Sequence, residues 1–194
     1  MTGNRIELGR RGILQSAAAL AVVSLEKGLV GRAIAAAPAG TITGKGIGDF
    51  DFLTGEWTIE HKRFDGIYKN DPKERVGSAT VRRVLGGMGS IEELRGPGGA
   101  FRGMGVRVWH PAEKLWADHW TAYQDGVVNP PQLGQFIDGA GIFHADDEMD
   151  GKPVKVRAVW DEITPTSCRW YQKMSKDGGQ TWEGGWYMAW TRVA

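Results

Sequence analysis

The chain has 194 residues, with 24 Lys and Arg against 23 Asp and Glu, a formal net charge of +1. That length predicts one domain with room for a tail, and the even balance excludes the basic excess by which nucleic-acid binders hold a phosphate backbone. Hydrophobic residues make up 41%, so the bulk of the chain is not disordered, while 29 Gly and 9 Trp point to strands, tight turns and a heavy aromatic core. A single Cys excludes an internal disulfide.

Residues 1–39 read as a signal peptide rather than as part of the fold. Arg5, Arg10 and Arg11 precede an apolar run from Ile13 to Leu25, and the small residues Ala33-Ile34-Ala35-Ala36-Ala37-Pro38-Ala39 close the segment. A charged start, a short apolar run and an A-x-A end form the secretory pattern. The run is too short for a stable membrane span, which takes roughly 20 residues. Arg10-Arg11 followed by Gly12-Ile13-Leu14 resembles the twin-arginine export motif. It departs from that motif at Gly9, where Ser or Thr is usual, and Glu26-Lys27 interrupt the apolar part. Cleavage after Ala35 and after Ala39 both fit. The expected location is periplasmic or secreted, and a lack of disulfides suits a route that moves folded chains. The alternative is an amphipathic N-terminal helix of a cytosolic protein.

Residues 40–194 read as strands, because the apolar pattern has period 2 far more often than 3.6. Residues 56–64 place Trp57, Ile59, His61 and Arg63 on one face. Residues 75–85 are β-branched and end at Gly86-Gly87, and 90–95 stop at Gly96-Pro97-Gly98-Gly99, a strong turn signal. Residues 101–110 and 114–123 flank the short link Pro111-Ala112-Glu113. Short strands at 133–137 and 140–144 surround Asp138-Gly139. Residues 152–163 and 167–175 flank Pro165, and 182–193 form the last strand. Nine or ten short antiparallel strands with no convincing helix make this an all-β chain, a sandwich or an up-and-down β-barrel.

Gly55-Glu56-Trp57, reached through Asp49-Phe50-Asp51-Phe52-Leu53-Thr54, resembles the G-x-W motif of lipocalin-like proteins. The resemblance implies a lipocalin-like barrel in which Trp57 plugs one end and an Arg of the last strand, here Arg192, stacks on it. The runs DFDFLTGEW, VWHP and SKDGGQTWE, with GWYMAWTRV, resemble an uncharacterised bacterial family of lipocalin-like domains. That resemblance implies fold and no assigned chemistry. Ser175-x-Asp177-x-Gly179-x-Thr181-Trp182 matches the Asp-box of sialidases, which is a turn that serves structure, and one copy implies no sialidase. Haem-binding barrels of the nitrobindin type carry a longer glycine-bearing motif that Thr58-Ile59-Glu60 does not continue.

No cofactor is implied. His61, His110, His119 and His144 have no metal-ligand spacing. The cluster Asp146-Asp147-Glu148-Asp150-Gly151 lacks the spacing of a calcium loop and reads as a solvated hairpin tip. Cys168 reads as a buried inert thiol. The lumen is the candidate site. If Trp57 points inward, His61 and Arg63 do too; Arg107 and Trp109 share a face, as do Trp116, Asp118 and Trp120. On the next-to-last strand Arg169, Tyr171 and Lys173 share a face opposite Trp170, Gln172 and Met174, and Tyr171 is the lumen candidate there.

Such a lumen would suit a small hydrophobic or amphipathic molecule bearing a carboxylate. Two alternatives stay open. One is a cofactor-independent isomerase, cyclase or hydratase with His61, Asp118, His119 and Tyr123 as acid–base candidates. The other is a structural or partner-binding exported domain with an exposed aromatic patch. Oligomeric state and ligand identity are not legible.

Overall fold

Ten strands close into one antiparallel up-and-down barrel in the computed structural model, which describes residue 42, residues 44–63 and residues 75–193. The proposed leader lies outside the described residues. The strands are β1 (Gly55–Arg63), β2 (Arg75–Val84), β3 (Gly89–Arg95), β4 (Phe101–His110) and β5 (Leu115–Ala122). They continue with β6 (Gln132–Ile137), β7 (Ala140–Met149), β8 (Lys152–Asp161), β9 (Ser167–Ser175) and β10 (Glu183–Arg192). Each strand pairs with the next in sequence, and β10 returns to pair with β1, so no edge is left open. Among the described residues no helix is long and apolar enough to cross a membrane.

Alternation decides what the barrel holds. Trp57 and Ile59 of β1 are buried while Glu56, Thr58 and Glu60 between them are exposed, and Ala79 and Val81 of β2 and Trp116 of β5 are buried with them. One end is filled by residues that precede β1. There Phe50 meets Trp116 and Phe136 edge-on, each with ring centroids 4.9 Å apart, and Phe52 and Leu53 are buried beside it. Buried Asp49 fastens this segment by accepting the amides of Gly44 and Gly46. We call this end the floor.

The floor is locked by the Trp–Arg contact that the G-x-W resemblance implies. Trp57 and Arg192 are register partners on β1 and β10, and the guanidinium carbon lies 4.2 Å from the indole centroid. Arg192 donates to the carbonyls of Phe52 (2.5 Å), Thr54 (2.6 Å) and Pro165 (2.8 Å), while Trp57 Nε1 donates to the Leu53 carbonyl at 2.7 Å. Thus one cation ties the plug, the first strand and the β8–β9 link together. Gly55 makes room for it. Its φ is +132°, and a Cβ there would sit 2.6 Å from Arg192 Nη1.

The β7–β8 hairpin differs from its sequence pattern. The strand expected to end at residue 144 runs to Met149, so Asp146, Asp147 and Glu148 lie within β7 and only Asp150-Gly151 turn. Pairing with β8 overrides the low strand preference of the acidic run, and Lys155 Nζ reaches Asp146 Oδ1 at 2.5 Å. The Asp-box is a β9–β10 turn, as read. Asp177 accepts the Ser175 and Thr181 hydroxyls and the Gln180 and Thr181 amides, which holds its carboxyl well below the usual range.

Candidate functional site

Above the floor the barrel encloses a cavity of about 390 Å³. Its aromatic wall is Trp120 of β5, Trp160 of β8, Trp170 of β9 and Trp186 of β10. These rings continue the floor upward. Trp57, Trp190, Trp160, Trp170 and Trp186 follow one another with centroid separations of 5.4 to 6.4 Å. Leu94, Val156 and Met188 add aliphatic surface. Gly103 gives Trp120 its place, since a Cβ there would lie 2.5 Å from the indole. Toward the mouth, β5 and β6 share only three register pairs, Trp116↔Gly134 to Asp118↔Gln132. Before β6 begins at Gln132 the connecting segment stays on β5 through the Thr121↔Val128 bridge and the Asn129 amide on the Trp120 carbonyl (2.9 Å), and its Asn129 and Pro130 line the cavity.

At the cavity's base lies a cluster of three charges. Arg107 of β4 is buried, with its side chain 5% exposed. Its Nη2 donates to Glu92 Oε2 of β3 at 2.5 Å, and its Nε donates to Asp118 Oδ2 of β5 at 3.3 Å. Asp118 stands directly opposite Arg107 in the ladder. Glu92 stands opposite Gly105, and the missing side chain there leaves the lane through which the guanidinium reaches it, because a Cβ would lie 3.2 Å from Nη2. Phe50 and Trp160 face the guanidinium, with centroids 5.1 and 5.3 Å from its carbon. The third nitrogen, Nη1, is buried and has no hydrogen-bond partner among the described residues.

Electrostatics follow from burial. Desolvation works against the Arg107 charge, yet Asp118 and Glu92 outweigh it and hold its pKa above the ordinary value. Asp118 moves up, driven first by burial and then by the Glu92 charge, against the pull of Arg107. Its side chain keeps 17% exposure, compared with 3% for Glu92, so Asp118 is the charge a visitor to the cavity meets.

The structure gathers Arg107, Asp118 and Trp120 at the cavity, and Trp109 inside the barrel below it, packed on Trp116 at 5.8 Å. His61 faces inward near the top of β1, where Trp186 Nε1 donates to its Nδ1 at 3.2 Å. Arg63 ends β1, and its side chain lies outside the described residues. Tyr171 does not line the lumen. Trp170, Gln172 and Met174 take the inward face of β9, whose Trp170 pairs with Met188, and Tyr171 lies outside between Arg169 and Lys173. His119 and Tyr123 are also outside: His119 Nδ1 lies 3.1 Å from the Asn129 carbonyl, and exposed Tyr123 lies against exposed Phe101 with ring centroids 6.1 Å apart. Glu92 was not among the sequence candidates. Among the described residues, no three His, Cys, Asp or Glu side chains gather as a metal site. No protein-family model matches this chain, and no curated protein is significantly similar to it.

Proposed function

We propose that this chain is an exported lipocalin-like barrel that binds a small, mostly apolar molecule in its lumen. The observation that carries this reading is the cavity of about 390 Å³, walled by four tryptophans and closed below by a charged cluster. Its volume lies within the range of small-molecule sites, and the charged side chains Glu92, Arg107 and Asp118 meet at its base. Residues 1–39, with Arg10-Arg11 and an A-x-A end, support export to the periplasm or beyond.

The test is titration of the full chain with N-phenyl-1-naphthylamine, a neutral apolar dye, followed by its fluorescence. Val156→Trp, and separately Leu94→Trp, would fill the cavity from opposite walls. The dye is expected to bind the parent protein and to be lost from both variants while their circular dichroism stays native. Equal binding to parent and native-like filled variants would place the dye outside the lumen and end this reading.

A second reading, a proton-transfer enzyme in the same cavity, is favoured by Asp118, an accessible carboxyl pushed up by burial. It predicts that a captured molecule recovered by mass spectrometry is consumed on incubation, and that Asp118→Asn stops the conversion. A molecule returned unchanged by the parent protein would remove it.

A further inference from the structure

We infer that the lumen selects an organic cation, an aryl- or alkylammonium with an apolar body, rather than an acid. The inference rests on the lumen-binding reading and adds the charge of the ligand.

An inward-facing arginine ordinarily marks a site for a carboxylate. Here that role is taken. Nε and Nη2 of Arg107 are occupied by Asp118 and Glu92, and Nη1 is buried. A carboxylate ligand would have to displace one protein carboxylate and strand it in the interior. It would also approach two buried carboxylates with only one cation beside them.

A cation meets the opposite situation. The cluster carries two carboxylates to one guanidinium, and Asp118 is its accessible member. Asp118 Oδ2 faces Arg107, and its Oδ1 accepts no hydrogen bond among the described residues. An ammonium group over Asp118 would complete the charge balance that Arg107 alone leaves short. Farther out, Asp147 adds another carboxylate to the wall. The surrounding surface suits the same charge. Indole faces attract cations through their quadrupole, and this lumen already holds one cation that way, Arg107 against Trp160. Trp120, Trp170 and Trp186 line the space above it.

The experiment compares three probes with one body, 2-(2-naphthyl)ethylamine, 2-(2-naphthyl)ethanol and 3-(2-naphthyl)propanoate, by calorimetry on the full chain at pH 8. The ammonium is expected to bind at least tenfold tighter than the alcohol, with the acid weakest. Asp118→Asn is expected to lower ammonium affinity at least tenfold and to leave the alcohol within about threefold. The ranking in the parent protein stands without any variant, so a poorly folding Asp118→Asn does not blunt the test. An acid that binds tightest, or ammonium and alcohol of equal affinity, overturns the cation inference and leaves the lumen reading intact. If the three probes and the neutral naphthylamine dye all fail to bind, the lumen reading falls and takes this inference with it.

Discussion

Arg107→Met removes the one buried cation and keeps much of its volume. Glu92 and Asp118 then face each other's charge in the barrel with no counter-charge from β4. At an effective dielectric near 20, a carboxylate about 4 Å from a guanidinium gains about 4 kcal/mol, most of it offset by the cost of leaving water. Breaking a buried pair while one partner stays behind costs about 3–5 kcal/mol. For a domain of this size each kcal/mol lowers the melting temperature by roughly 2–4 °C, so the drop at pH 8 should fall between about 6 and 20 °C.

The pH dependence supplies the sharper test. Without Arg107 the pull that lowers Asp118 is gone, and its folded-state pKa rises further above its unfolded value of about 4. A group raised in the folded state contributes most below its unfolded pKa and loses that contribution as pH rises through the folded value. Asp118 of the parent protein already runs in this direction. The deficit of Arg107→Met should therefore shrink from pH 8 to pH 5, and the neutral triple variant Glu92→Gln, Arg107→Met, Asp118→Asn should regain much of it. Thermal unfolding followed by far-ultraviolet circular dichroism reads all three. A drop below about 2 °C at pH 8, or a deficit as large at pH 5, would refute an ionised, coupled cluster.

Arg192→Lys keeps a charge over Trp57 but cannot fork to three carbonyls, and should cost about 2 kcal/mol in urea unfolding with a changed tryptophan spectrum. Gly55→Ala should cost more than about 1 kcal/mol for its strained φ and its collision with Arg192, and a neutral result would contradict the close approach. Cys168 is buried, and burial pushes its thiol up, so a disulfide reagent at pH 8 should label it no faster than the chain unfolds. Rapid labelling of native protein would contradict that placement. Asp177 should show no titration near pH 4 by carbon NMR, because Ser175 and Thr181 hold it ionised. Its support for the β9–β10 turn is present at neutral pH and lost only as pH falls toward that depressed value, whereas an ordinary titration would mean that the turn is open.

Period-2 alternation carried most of the fold, because a barrel of short strands writes its inner face into every second residue. Trp57 with Ile59, Arg107 with Trp109, and Trp116 with Asp118 and Trp120 all follow from spacing alone. It failed where both faces of a strand are mixed. On β9, Arg169, Tyr171 and Lys173 compete with Trp170, Gln172 and Met174, and neither set is plainly apolar. The choice is made by pairing with β10, which sets Trp170 beside inward Met188, and pairing is a property of the closed sheet.

Glu92 escaped for a related reason, and its place changes the chemistry. On β3, Ser90, Glu92 and Leu94 alternate with Ile91, Glu93 and Arg95, so each face offers one aliphatic and one acidic residue. The signal lies one strand away. Ala79 and Val81 face inward on β2, and their register partners are Leu94 and Glu92. An inward Arg107 requires a buried partner, and Asp118, directly opposite, already satisfied that requirement on paper. A second carboxylate is more than neutrality demands. It turns Arg107 from a receptor for acids into an internal counter-ion, and it leaves Asp118 with charge to offer the cavity.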